Sequence, residues 1–283
     1  MAPPVFIVSD LHMGDKGPRD NFAHMSDGKR EWEFNRFLDH VESQKGQLVI
    51  LGDLFELWQG NVSRVVTCRP KLIDRLHRMK AIYVIGNHDI DLRYFRKGFA
   101  LRHPFFHNIR KQLIVRRGGR AFLLIHGHEE DPYCRAENPG LGRISAIYSG
   151  LREDRNGSPL LGKYGDQTVE TRSLGRWDRF TKIVRRCLGK PSLSQVLRQN
   201  IYDRWKIEKV AGLMFGHTHE PGTFYKNGCQ LPIINIGSWA EHTPTFGIIT
   251  ERGNMDLFEW NEKITGRRAK AWAVRNPLVV TDR

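Results

Sequence analysis

VFIVSDLHMGD, residues 5–15, joins a run of four apolar residues to an Asp and a His set two positions apart. An apolar run this short, closed by polar residues, reads as a buried strand rather than a helix. Taken alone, Asp10 and His12 fit a polar turn or a helix cap as well as a pair of metal ligands. The same pattern then recurs along the chain. LVIL (48–51) runs into Gly52 and Asp53, and AIYVI (81–85) into Gly86, Asn87, His88 and Asp89. AFLLI (121–125) runs into His126, Gly127 and His128, and LMF (213–215) into Gly216, His217, Thr218 and His219. A set of strands that each end in Asp, His or Asn is the feature from which the rest follows.

Helical patterns separate the first three runs. Phe34, Phe37, Leu38 and Val41 share one face of residues 30–43, and Leu72, Ile73, Leu76 and Met79 share one face of residues 70–80. Alternation of strand and helix predicts an α/β layered core. A further strand is expected at PIINI (232–236), and FGIIT (246–250) with MDLFEW (255–260) predicts a closing hairpin around ERGN. Residues 131–210 break the rhythm with Gly-, Pro- and Asn-rich loops and basic helical stretches near 170–188 and 192–209. They read as a basic helical cap inserted into a core formed by 1–130 and 211–260, with 261–283 as a basic tail.

The chain has 283 residues, 40% hydrophobic and 27% charged, the composition of a globular protein. Its net charge of +14 is unevenly placed. Residues 143–209 hold 15 basic and 7 acidic side chains, and residues 261–283 hold 6 and 2. Such an excess predicts an anionic partner: phosphate esters, nucleic acid or an acidic membrane surface. No apolar run reaches the ~18 residues of a membrane span, and MAPPVFIVSD lacks the features of a secretory signal. The four cysteines are scattered with no CxxC pair, which argues against a disulfide framework or a Cys-rich zinc site and makes a reducing cytoplasm the expected location.

In open α/β sheets the carboxyl ends of strands converge on the ligand crevice, so the five polar strand ends are expected to meet. Asp, His and Asn offer oxygen and imidazole nitrogen but no thiolate, a set suited to Mn, Fe or Zn. There are more donors than one tetrahedral ion needs. Two metals bridged by a carboxylate match the number better, and such a pair acidifies bound water and clamps a phosphoryl group.

SDLH, GDLFELW, GNHD, HGH and FGHTHEP, in this order, resemble the motifs of the calcineurin-like metallophosphoesterases. The resemblance implies a four-layer α-β-β-α sandwich. It implies that Asp10, His12 and His219 bind one divalent metal, that Asn87, His126 and His217 bind the other, and that Asp53 bridges them. A hydroxide held between the metals would attack phosphorus. His88 would steady the phosphoryl oxygens or protonate the leaving alkoxide, with Asp89 orienting it. His128 is expected beside the ligands or among them.

GDLFELW and NIGSWAEHTPTFGIITERGNMDLFEW are similar to segments of the UDP-2,3-diacylglucosamine diphosphatase group of lipid A synthesis. That group cleaves a pyrophosphate to UMP and a lipid monophosphate, commonly uses Mn, and closes a helical cap over acyl chains. The likeness implies a nucleotide-linked lipid substrate and peripheral contact with the inner face of the membrane. His88 stands where that group usually has Arg, and His128 where it has Asp. A nuclease or cyclic-nucleotide phosphodiesterase, with the basic cap tracking a phosphate backbone, is the alternative. The bridging role makes Asp53→Ala a direct test: metal analysis and steady-state kinetics are expected to show loss of both metals and of essentially all turnover. His88→Ala is expected to lower turnover by ~10²–10⁴-fold while metal content stays close to that of the parent.

Overall fold

A computed structural model describes residues 2–17, 20–58, 60–95, 102–131, 200–201, 210–225 and 232–260, with the short pieces 272–273 and 280–281. Two sheets organise them. In the first, β1 (Val5–Val8) lies at the centre, parallel to β2 (Gln47–Leu51), which continues through β3 (Ile82–Val84) to β4 (Ile109–Arg110). On its other side β1 pairs antiparallel with β10 (Thr245–Ile249), which forms a hairpin with β11 (Met255–Glu259). The second sheet is built on β5 (Gln112–Arg117), β6 (Arg120–Ile125), β7 (Gly212–Phe215), β9 (Ile233–Asn235) and β8 (Gly222–Tyr225), in that order. β12 (Trp272–Ala273) and β13 (Val280–Thr281), two pieces of the tail, each add an edge strand, one per sheet.

The unbroken apolar runs have a simple cause. A strand covered on both faces carries no polar alternation. Val5 and Ile7 point between the sheets, where they meet Leu124, Met214 and Ile236, while Phe6 and Val8 point to the helical side. β2 divides in the same way, Val49 and Leu51 to the inter-sheet core and Leu48 and Ile50 to the helices. The helical side is covered by α2 (Arg30–Ser43), through Phe34, Phe37, Leu38 and Val41, and by α4 (Pro70–Arg78), through Leu72, Ile73 and Leu76. Beyond the second sheet, Leu123, Ile125, Leu213 and Phe215 bury Ile201, which lies in a helical stretch at 200–201. The α/β fold with two packed sheets is as expected, and the helices that cover the first sheet are seen directly. Apart from residues 131, 200–201 and 210, the expected cap lies outside the described residues, as does most of the tail.

Sequence reading overlooked β5, which alternates rather than running apolar. Leu113 and Val115 face the core while Ile114 is exposed. It joins β6 through a two-residue turn at Gly118 and Gly119, both at positive φ (53° and 71°), with Arg117 opposite Arg120. Gly-Gly between two strands is the signature of such a hairpin. Also unanticipated are α1 (Asn21–Gly28), kinked at Met25–Asp27, the short helix α3 (Val62–Thr67), and α5 (Leu92–Phe95). The long first loop that contains α1 is tied down by a buried ion pair between Arg69 and Asp20, whose other oxygen caps α1 through Ala23 N–H at 3.0 Å.

Phe37 anchors the helical side. Its ring meets those of Phe34, Trp239, Phe246 and Trp260 at centroid distances of 5.1–6.1 Å. Phe37→Ala opens a cavity in that cluster and is expected to lower unfolding stability by ~3–5 kcal/mol, read from urea denaturation at constant m-value.

Candidate metal centre

The five polar strand ends converge as expected, and the backbone is bent to make them do so. Among the described non-glycine residues with positive φ are Asp10 (54°), His12 (49°), Asp53 (48°), His217 (67°) and His219 (54°). Left-handed backbone is unfavourable for such residues and persists only where the surroundings over-determine it. Here hydrogen bonds fix it. Asp10 N–H donates to Gly52 O at 3.2 Å and His12 N–H to Asp53 O at 2.9 Å. The Asp10 carbonyl accepts from Ser238 Oγ (2.9 Å), Ala240 N–H (3.0 Å) and Trp239 N–H (3.2 Å). Leu11, between the two candidate ligands, is fully buried in the helical-side core, which leaves its neighbours to face the crevice.

Glycine at the strand ends lets ligands from adjacent strands approach. A Cβ on Gly86 would lie 2.0 Å from Asp53 Oδ1, and one on Gly52 (φ +89°) would lie 2.2 Å from His126 Nδ1. Neither position tolerates a side chain without displacing a residue of the site.

Asp10, His12 and His219 bring donor atoms within 4.8 Å of one another, as do Asp10, Asp53 and His126. Asp53 Oδ2 lies 3.3 Å from His126 Nε2 and 3.9 Å from His12 Nε2, between the two groups. Asp10 also spans them: its Oδ1 is 3.3 Å from His219 Nε2, 3.8 Å from His12 Nε2 and 4.0 Å from His126 Nε2. That oxygen is fully buried and, apart from these imidazoles, has no hydrogen-bond partner among the described residues, the state of a ligand atom facing a cation position. Asn87 Oδ1 joins the second group, 3.0 Å from His126 Nε2. His217 lies beside it, its ring 5.3 Å from that of His126, with Nε2 donating to Asp131 Oδ2 at 2.9 Å.

The hydrogen bonds show where positive charge is required. His126 donates from Nδ1 to Leu51 O (2.8 Å) and from Nε2 to Asn87 Oδ1 (3.0 Å). His219 donates from Nδ1 to Glu241 Oε1 (3.1 Å) and from Nε2 to His12 Nε2 (3.3 Å). With a partner at both nitrogens, each ring is suited to carry positive charge. Burial opposes that charge, but Asp53 and Asp10 outweigh it at His126 and Asp10 outweighs it at His219, raising each to about 10. In return, burial notwithstanding, His126 and His219 hold Asp10 well below the usual carboxylate range, and His126 and His88 do the same for Asp53. Carboxylate, imidazole and amide oxygen donors gathered around Asp10 Oδ1 and Asp53 Oδ2 form a set that fits the divalent metals the motifs imply.

Two neighbours differ from expectation. Asp89 does not hold the His88 ring nitrogen that the structure describes. It accepts instead from Leu54 N–H (2.8 Å), Gly86 N–H (2.7 Å) and the Tyr83 hydroxyl, which staples the Asp53 and Asn87 loops together. Burial and the Asp53 charge push it up to about 6. Glu56, which sequence reading passed over, takes the orienting part: its Oε2 accepts from His88 Nδ1 at 2.6 Å and from His12 Nδ1 at 3.2 Å. The only trace in the sequence is a carboxylate three residues after Asp53, where a surface turn and a buried partner look alike. His128 is buried, neither nitrogen is hydrogen-bonded among the described residues, and its ring lies 5.2 Å from that of His126. Burial and the His126 and His217 charges push it well below the usual histidine value.

Residues 3–221 match the calcineurin-like phosphoesterase family. The chain belongs to that family. Its members are metal-dependent phosphoester hydrolases, and the buried Asp, His and Asn cluster is the corresponding feature of this chain. Among characterised relatives, it is similar to the UDP-2,3-diacylglucosamine hydrolase of Blochmanniella pennsylvanica, 28% identical over 277 residues, 90% of this chain and 95% of that one. The UDP-2,3-diacylglucosamine hydrolase of Hahella chejuensis is 23% identical over 248 residues, 85% and 91% of the two chains. Among solved structures, Vps29 of Entamoeba histolytica complexed with zinc aligns over 96% of this chain and 98% of its own, with 15% identity and a TM-score of 0.46. No helix among the described residues is long and apolar enough to cross a membrane.

Loading of a divalent metal competes with the protons of His126 and His219, so release of up to two protons per chain is expected near pH 7. Titration calorimetry in buffers of different ionisation enthalpy reads that number. The sign follows from the raised histidine values: affinity rises with pH as the competing protons are lost, and the gain ends above about 10.

Proposed function

We propose that this family member is a dinuclear phosphoester hydrolase acting on a nucleotide-linked lipid diphosphate of the UDP-2,3-diacylglucosamine class. The observation that carries the dinuclear reading is the position of Asp53 Oδ2 between His12 and His126, 3.9 Å from one and 3.3 Å from the other. The names and nearly full-length coverage of the relatives support the substrate class.

Asp10, His12 and His219 would hold one cation, Asn87, His126 and His217 the other, and Asp53 both. Divalent cations there, with Mn as the preferred ion, supply Lewis acidity toward a phosphoryl group and water acidified toward neutrality. The chain's own contribution is orientation. Every candidate histidine ligand has one nitrogen tied: His12 to Glu56, His126 to Leu51 O, His217 to Asp131 and His219 to Glu241. Such outer partners fix tautomer and ring direction and raise ligand basicity. His88 N–H donates to Asp53 Oδ1 at 2.9 Å, which locks the His88 backbone to the bridge and places its ring at the rim of the centre. From there the imidazole would steady phosphoryl oxygens or protonate the departing oxygen. His128, uncharged and free of hydrogen bonds, would give the second group a reserve nitrogen donor. The basic cap and tail would favour an anionic membrane surface at the cytoplasmic face.

The deciding experiment sets a UDP-linked diacyl sugar, bis-p-nitrophenyl phosphate, a cyclic nucleotide and single-stranded DNA side by side with Mn. Release of UMP from the lipid substrate, abolished by chelator, is expected to exceed turnover of the others. Preferential cleavage of DNA or of the cyclic nucleotide would overturn the lipid assignment and leave a phosphodiesterase.

A further inference from the structure

Arg30 opens α2, where a charged side chain would ordinarily reach water, yet it is 1% exposed. Its Nη1 pairs with Glu33 Oε2, one turn along the helix, at 2.9 Å. Its Nη2 crosses to the loop after β9 and donates to two successive carbonyls, Glu241 O at 2.7 Å and His242 O at 3.1 Å. Burial pulls the Arg30 pKa down, and the charges of Glu33 and Glu241 oppose that. A buried guanidinium is a costly way to fasten a helix to a loop, and this loop is the one that serves the metal centre. At its near end, Ser238 Oγ and the amides of Trp239 and Ala240 hold the Asp10 carbonyl. Glu241 follows, its Oε1 accepting from His219 Nδ1 at 3.1 Å. Glu241 is thus bracketed, by the amide of Ala240 bound to Asp10 on one side and by its own carbonyl bound to Arg30 on the other.

We infer that Arg30 is a positioning residue for the cation site of Asp10, His12 and His219, clamping the Glu241 and His242 carbonyls so that the Glu241 carboxylate is aimed at His219. With both carbonyls held, only the side-chain torsions of Glu241 remain free, and its hydrogen bond to Nδ1 fixes the direction of the His219 ring. The other ring nitrogen, Nε2, then faces Asp10 Oδ1 at 3.3 Å. A rigid guanidinium fork can serve Glu33 and two carbonyls together, which the single ammonium on the flexible stem of a lysine does poorly. The second group is tied by other partners, His126 by Leu51 O and His217 by Asp131, so the clamp acts on one side of Asp53 only. That one-sided role rests on the two-cation reading above, whereas the clamp itself does not.

Two readouts test this on the full chain. In imidazole ¹⁵N–¹H spectra of the metal-free protein, Arg30→Met and Arg30→Lys are each expected to shift the Nδ1–H signal of His219 and to leave that of His126 in place. An unmoved His219 signal would overturn the clamp, whether or not the chain binds metal. The second readout is Mn affinity by equilibrium titration, the site lost in His219→Ala marking the first. Glu241→Gln is expected to weaken that site ~10–100-fold and Arg30→Met about tenfold, with Arg30→Lys between Arg30→Met and the parent and the other site close to the parent throughout. Within the Glu241→Gln background Arg30→Met is expected to add little, because the two residues act in series. Equal weakening of both sites, full additivity, or a loss of unfolding stability with unchanged affinities would overturn the positioning role. If Arg30→Met does not fold, Arg30→Lys, which keeps a charge beside Glu33, decides in its place. If the parent protein binds fewer than two Mn, the two-cation reading fails, and the His219 signal alone then decides the role of Arg30.

Discussion

Everything at the crevice depends on Asp10 and Asp53 being ionised while fully buried. Isolated carboxylates in such surroundings are strongly disfavoured, so positive charge must stand beside them. His126 and His219 stand there, each raised to about 10 by the neighbouring carboxylates against the effect of burial. The electrostatic demand is set by the fold, before any substrate arrives, and the same demand selects divalent cations. Strained backbone at Asp10, His12, Asp53, His217 and His219 is the structural counterpart. The sheets and the loop at Ser238–Ala240 hold these residues in conformations they would not otherwise adopt, with both side chains of each D-x-H or H-x-H pair directed to one side.

A large part of this was legible in the sequence, for a physical reason. Strands buried on both faces have to be apolar throughout, so VFIV, LVIL and AFLLI stand out, and a polar residue directly after them is conspicuous. The amphipathic faces of α2 and α4 were equally plain, and Phe34, Phe37, Leu38, Leu72 and Leu76 are buried where periodicity puts them. β5 escaped notice because a half-covered edge strand alternates and resembles loop, although Gly118-Gly119 announced its turn. The convergent cluster was readable because its members share a position at strand ends.

The outer partners were not readable, since no local pattern distinguishes them. Glu56, Asp131 and Glu241 come from a turn, the end of a short 3-10 turn and a loop, and each is identified only by the histidine it meets in space. Asp89 is the instructive case. Its place next to His88 suggested a partnership, yet neighbours in sequence point in different directions. Its carboxylate turns into the core, toward Tyr83 and the amides of the Asp53 loop, where it joins two motif loops rather than tuning a ring.

The position of β1 has a consequence for how such a chain comes into being. This first strand lies between β2 and β10, and its terminal residue Asp10 is held by backbone and side-chain donors from Ser238–Ala240. During synthesis Asp10 and His12 leave the ribosome early, but the amides that bend them into place and His219 follow roughly two hundred residues later. Until then the nascent chain carries two members of the candidate metal cluster without the residues that complete it. Contacts this distant make folding slow, and a candidate metal cluster drawn from both ends of the described core is complete only when the whole domain has formed.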